Sequence, residues 1–111
     1  MLFRSVETNR ASLAEVCRAF GVERLEVFGS AATGGFDAER SDVDFLVRLA
    51  DRAPTGEYAE RYLALGEALE RLLGRRVDLV TEGAMRNPHF RASVEATRQV
   101  VYEQPGHEAA V

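Results

Sequence analysis

Three acids and a glycine–serine pair carry the chemistry-bearing pattern of this 111-residue chain. Asp42 and Asp44 stand one residue apart in Ser41-Asp42-Val43-Asp44-Phe45-Leu46-Val47. Alternation along a strand sends both carboxylates to one face and Val43, Phe45 and Val47 to the other. Two such carboxylates repel each other and cost stability unless positive charge lies between them. Upstream, Val27-Phe28-Gly29-Ser30 reads as a strand running into a tight turn. The backbone N–H groups and hydroxyl of such a turn are a usual means of holding phosphate. Hard oxygen ligands beside a phosphate cradle are what a magnesium–nucleotide complex requires. A third acid, Asp78, lies in another alternating segment, Arg76-Val77-Asp78-Leu79-Val80. If Val77 and Leu79 share the core face with Val43 and Phe45, Asp78 joins Asp42 and Asp44 on the opposite face.

The elements that must position these residues follow from periodicity and punctuation. Asn9 is a candidate N-cap for a helix in which Leu13, Val16, Cys17 and Phe20 recur at i, i+3, i+4, i+7, closed by Gly21. Residues 1–8 give no clear signal. Leu25 to Phe28 is a short strand, residues 31–40 form a small-residue loop, and the second strand runs from about Asp42 to Leu49. A helical first turn in that loop would place Ser30 at a helix N-terminus. A connector with Pro54 and Gly56 leads to a helix striped by Tyr58, Tyr62, Leu65, Leu69 and Leu72 and ended by Gly74. The third strand follows at 76–80. Asn87-Pro88 then opens a helix over His89 to Ala96, as N-cap and N1 proline. Gln99 to Tyr102 is a candidate last strand at a sheet edge, and residues 103–111 read as a frayed tail. The order helix, strand, strand, helix, strand, helix, strand predicts an α/β (α+β) fold: one domain over 1–111, core about 9–102, with a small mixed sheet and helices packed against it.

Composition narrows the chemistry. The apolar fraction is 46%, normal for a packed domain. No apolar run reaches the length of a membrane span and the N-terminus lacks a signal-peptide core, so a cytoplasmic protein without membrane contact is expected. A net charge of −4 argues against direct nucleic-acid binding. All 14 basic residues are Arg. That excludes a lysine nucleophile, a Schiff base and a Walker-type phosphate loop. Cys17 is single, so it forms no internal disulfide, and its place on an apolar helix face reads as a core thiol.

The segment Phe28-Gly29-Ser30-Ala31-Ala32 through Ser41-Asp42-Val43-Asp44-Phe45-Leu46-Val47 resembles the signature of the polymerase-β-like nucleotidyltransferases. With Arg76-Val77-Asp78-Leu79-Val80 and Asn87-Pro88, the chain looks like the minimal nucleotidyltransferases of prokaryotes over roughly residues 9 to 102. The resemblance implies a Mg²⁺-dependent transfer of AMP from ATP to a hydroxyl. It further implies an antitoxin bound to a HEPN-domain toxin and adding AMP to a tyrosine of it. Carried over residue by residue, Gly29 and Ser30 would hold the β/γ-phosphates, and Asp42 and Asp44 would coordinate two Mg²⁺ ions. Asp78 would be the third carboxylate, helping to bind one metal and taking the proton of the incoming hydroxyl. The family commonly has Arg in the loop after Gly-Ser, where this chain has Thr33. Arg40 and Arg48 are the candidates to compensate.

Each feature also has a plainer reading. An Asp-x-Asp taken alone is more often a solvated strand end. Asp78 could merely pair with Arg75 or Arg76, while Gly29 and Ser30 could serve as turn and cap alongside phosphate binding. Arg75-Arg76 reads as a solvated corner and Glu67 and Glu70 as the solvated face of their helix. Neither His89 nor His107 has a partner at metal-ligand spacing. The alternative to an active enzyme is an antitoxin that neutralises its HEPN partner by binding alone, motivated by Thr33. A small-molecule acceptor ranks lower for want of a substrate domain. Sugar transfer ranks lowest, because it leaves Gly29, Ser30 and Asp78 unexplained.

Overall fold

The computed structural model describes residues 4–33, 42–50 and 56–105. Most of the expected loop, with Arg40, and most of the connector and the end of the tail, with His107, lie outside the described residues. The elements run α1 (Arg4–Thr8), α2 (Arg10–Ala19), β1 (Val22–Phe28), α3 (Ser30–Thr33), β2 (Val43–Leu49), α4 (Gly56–Leu73), β3 (Val77–Thr81), a 3₁₀ turn (Glu82–Ala84), α5 (Pro88–Thr97) and β4 (Gln99–Glu103). The four strands form one mixed sheet in the order β3-β2-β1-β4. β1 is antiparallel to both β2 and β4, whereas β2 and β3 are parallel and α4 is the crossover between them.

One face of the sheet carries the main core. Val43, Phe45, Val47 and Leu49 of β2 meet Leu13 and Cys17 of α2 and Leu65, Leu69 and Leu73 of α4. Each such side chain, buried from water, stabilises the fold by about 1.5–3 kcal/mol. Val77 and Leu79 pack against the same cluster, as alternation predicted. The other face holds a smaller cluster of Phe28, Leu46, Met85 and Val94, with Val80 against it. α5 lies over this second face, capped by Asn87 Oδ1, which accepts from the N–H groups of His89 (2.8 Å) and Phe90 (3.4 Å).

Several local expectations change. α1 escaped notice because its five residues carry one buried side chain, Val6, too few for a period. Asn9 does not cap α2 through its side chain. Its Nδ2 donates to the Ser5 carbonyl at 2.8 Å and closes α1 instead. β1 begins at Val22, three residues early, because Val22 is buried against the core and pairs with Leu49. β4 extends to Glu103, where the tail was expected to start. Glu70 is not simply solvated: its Oε2 accepts the Val77 N–H at 3.1 Å. Together with the Tyr62 hydroxyl, which donates to the Leu79 carbonyl, it covers the outer edge of β3, an edge that would otherwise be open to pairing with another chain.

Candidate active site

Register decides where the acids fall. Asp44 pairs with Phe28 of β1 on one side and with Asp78 of β3 on the other. In-register neighbours project to the same face, so Asp44 and Asp78 lie side by side on the face that carries Leu46. Asp42, one residue before β2, has the same parity as Asp44. Burial pushes the Asp44 carboxyl up, and the charges of Asp78 and then Asp42 push it further, to about 6.

The turn after β1 closes on this acid. Gly29 adopts φ +70°, and a Cβ on it would lie 2.9 Å from Asp44 Oδ2. Any larger residue would be strained in backbone and would crowd the carboxylate. Ser30 follows as the first residue of α3, the predicted helical first turn. The Gly29 N–H donates to Thr97 Oγ1 at 2.9 Å, and Gln99 Nε2 donates to the Ala32 carbonyl at 2.7 Å. The residue between them, Arg98, reaches Glu26 with two hydrogen bonds of 2.6 and 2.8 Å. Glu26 is only 3% exposed. Its burial alone would raise its pKa, but the Arg98 hydrogen bonds and the charges of Arg98, Arg24 and Arg48 take it below the usual carboxylate value.

Cations stand on two sides of the site. Arg76 Nε lies 3.2 Å from Asp42 Oδ1, so it pairs with Asp42 rather than Asp78. Arg48 shares the Asp44 face but sits four residues along β2, and it is engaged by Glu23 (3.5 Å) and Glu82 (3.7 Å). At about 3.3 Å per residue its backbone stands roughly 13 Å along β2 from that of Asp44. Thr33 is exposed and its hydroxyl turns back to the Ser30 carbonyl at 3.5 Å. A cleft of about 570 Å³ lined by Arg48, Tyr58 and Glu82 opens at the far ends of β2 and β3, away from the acids.

The donor chemistry of this set suits magnesium in part. Hard carboxylate oxygens are its preferred protein ligands. Among the described residues, Asp44 is a partly buried acid raised by two others, with no cation paired to it. The donor types fit. Among those same residues, however, no group of three acids, histidines or cysteines stands where it could hold a metal ion. Asp42 is turned to Arg76, and an exposed pair of that kind holds by only about 0–1 kcal/mol.

The family model of the nucleotidyltransferase domain matches residues 10–101. The chain belongs to the nucleotidyltransferase family. It is 38% identical over 88 residues to the protein adenylyltransferase MntA of Thermococcus cleftensis, spanning 79% of this chain and 81% of that protein. It superposes with TM-score 0.68 and 33% identity on a structure provisionally named a minimal nucleotidyltransferase, over 89% of this chain and 95% of that one. It shares the fold, at TM-score 0.60 and 18% identity, of a chain in the complex of tri-AMPylated Shewanella oneidensis HEPN toxin with MNT antitoxin, over 95% of this chain and 78% of that one. This nucleotidyltransferase thus has the expected small mixed sheet. Sequence reading missed Thr97, Arg98 and Gln99, which lie far from the motif, and Glu26, whose partner does: the Gly29 to Thr97 bond spans 68 residues and the Glu26 to Arg98 bond 72. No local pattern announces a contact of that length.

Proposed function

We propose that this nucleotidyltransferase transfers AMP from ATP to a tyrosine hydroxyl of a HEPN-domain toxin, and so acts as its antitoxin. The observation that carries the reading is the register of Asp44 beside Asp78, with Gly29 stripped of a side chain against the Asp44 carboxylate. The names of the relative and of the fold neighbour support the same acceptor class.

In this reading Asp42 and Asp44 would hold two Mg²⁺ ions, with Asp78 as a further ligand to one. Bound there, magnesium would supply positive charge against the triphosphate. Ser30 Oγ and the Ser30 and Ala31 amides receive the β/γ-phosphates at the Gly29-Ser30 turn. The tyrosine oxygen bonds to the α-phosphorus, the bond to pyrophosphate breaks, and Asp78 takes the hydroxyl proton. A base so placed contributes about 10²- to 10⁴-fold. Arg76 gives up Asp42 at small cost as the site fills.

The test is transfer of label from α-labelled ATP, with Mg²⁺, to a HEPN-domain partner. Wild type labels the partner and Asp44→Ala does not. Absence of label with wild type, or equal labelling by Asp44→Ala, rejects the reading. A second reading, neutralisation by binding alone, is favoured by Thr33 and by the distant engagement of Arg48. It prevails if Asp42→Asn/Asp44→Asn still silences the toxin while wild type shows no ATP binding.

A further inference from the structure

We propose that Thr97, Arg98 and Gln99 form a seat that positions the Gly29–Thr33 segment for nucleotide, making them positioning residues for the triphosphate. The inference rests on the nucleotide reading of that turn. Its basis is one run of three residues at the end of α5 and the start of β4, each member engaging a different group. Thr97 Oγ1 accepts the Gly29 N–H at 2.9 Å, at the entry of the turn. Gln99 Nε2 donates to the Ala32 carbonyl at 2.7 Å, near its exit. Between them Arg98 is tied to the buried Glu26 of β1, and also to Glu82 at 3.1 Å and to Glu95. Glu26 lies two residues before Phe28 on the strand that delivers the turn, so seat and turn are fixed to the same strand.

The chemistry of the seat follows from what it occupies. Gly29 N–H is committed to Thr97, which in turn donates to the Ser93 carbonyl at 3.1 Å. The Ala32 N–H is taken by the Gly29 carbonyl at 3.0 Å, so phosphate is left to Ser30 and the Ala31 amide, whose direction is set by the two ends the seat holds. α3 is only four residues long, and a helix that short is marginal on its own hydrogen bonds. Holding such a turn in its bound form before the ligand arrives improves affinity by removing ordering costs. Thr97 and Gln99 touch no reacting atom, so their effect falls on ATP binding and not on the transfer step.

Calorimetry with MgATP on the full chain tests this. Thr97→Val, which keeps the shape and loses the acceptor, is expected to weaken MgATP binding about tenfold. Thr97→Ser restores it to within about twofold of wild type. In transfer assays KM for ATP rises in Thr97→Val while kcat stays near wild type. Gln99→Leu is expected to weaken MgATP binding about three- to tenfold and provides the reading if Thr97→Val fails to fold. MgATP affinity unchanged in Thr97→Val, or a Thr97→Ser no better than Thr97→Val, overturns the seat alone. A wild type with no MgATP affinity overturns the nucleotide reading and the seat with it.

Discussion

Asp44 lies between Phe28 and Asp78 in the sheet, and its charge is opposed by lost hydration and by two acidic neighbours. The raised pKa fixes the sign of its effect on stability. Between the unfolded value of 3.8 and about 6 the folded protein binds the proton more tightly. This group's contribution is thus fully present below the unfolded pKa and is lost as pH rises toward 6. Thermal melts without divalent cations should show that decline, and Asp44→Asn should flatten it. At pH 7.5 the same substitution is expected to raise stability by about 1 kcal/mol, or roughly 4–8 °C in Tm. It should also lower AMP transfer by on the order of 10³-fold, the loss of several kcal/mol of charge stabilisation. A neutral variant that melts lower than wild type would show that the acids do not oppose one another. Magnesium binding, read by calorimetry, should strengthen over the same pH window, since the ligand must be deprotonated. These residues were legible in the sequence because a period of two is strict: once Phe45 is inside, Asp44 is outside. Glu26 was not, since its position in an apolar strand gives no sign of the arginine that reaches it from α5.

Elements set the charges that no motif names. The Glu26–Arg98 pair joins β1 to the end of α5, and Arg24 Nε lies 3.0 Å from the same carboxylate. Removing Arg98 leaves Glu26 buried with less compensation, so Arg98→Ala should cost about 3 kcal/mol in urea unfolding. Glu26 works in the sense opposite to Asp44: its pKa is lowered, so its stabilisation is present above 4.5 and fades as pH falls through the folded value. Arg98→Ala should therefore lose more stability at pH 7 than at pH 3. On the opposite edge, α4 secures β3 through Tyr62 and Glu70, which bond the backbone groups on either side of Asp78. Tyr62→Phe should cost about 1 kcal/mol and speed amide exchange in β3 more than in β1. Helix stripes and the Asn87-Pro88 cap were readable from local spacing. The five-residue α1 and the α4 contacts to β3 were not, because they are settled by tertiary packing.

Across the whole molecule, the chain closes on itself late. β4 pairs with the inner strand β1, so the last strand completes a sheet begun at Val22. A chain ending at Thr97 should lose Gln99, Val101 and Tyr102 from the sheet and core, and with them a cooperative thermal transition. A sharp melt in that truncated chain would mean that α2, α4 and three strands suffice. The mixed sheet was foreseeable from the order of elements, whereas the placing of β4 beside β1 was not, since several pairings satisfy the same order. Asp78, proposed to accept the proton, rides on a strand with a single neighbouring strand, while Asp44, proposed to hold metal, belongs to an inner one. Mild perturbants should therefore peel away the proton acceptor first, leaving a protein that still grips nucleotide, still looks folded to bulk spectroscopy, and has fallen chemically silent.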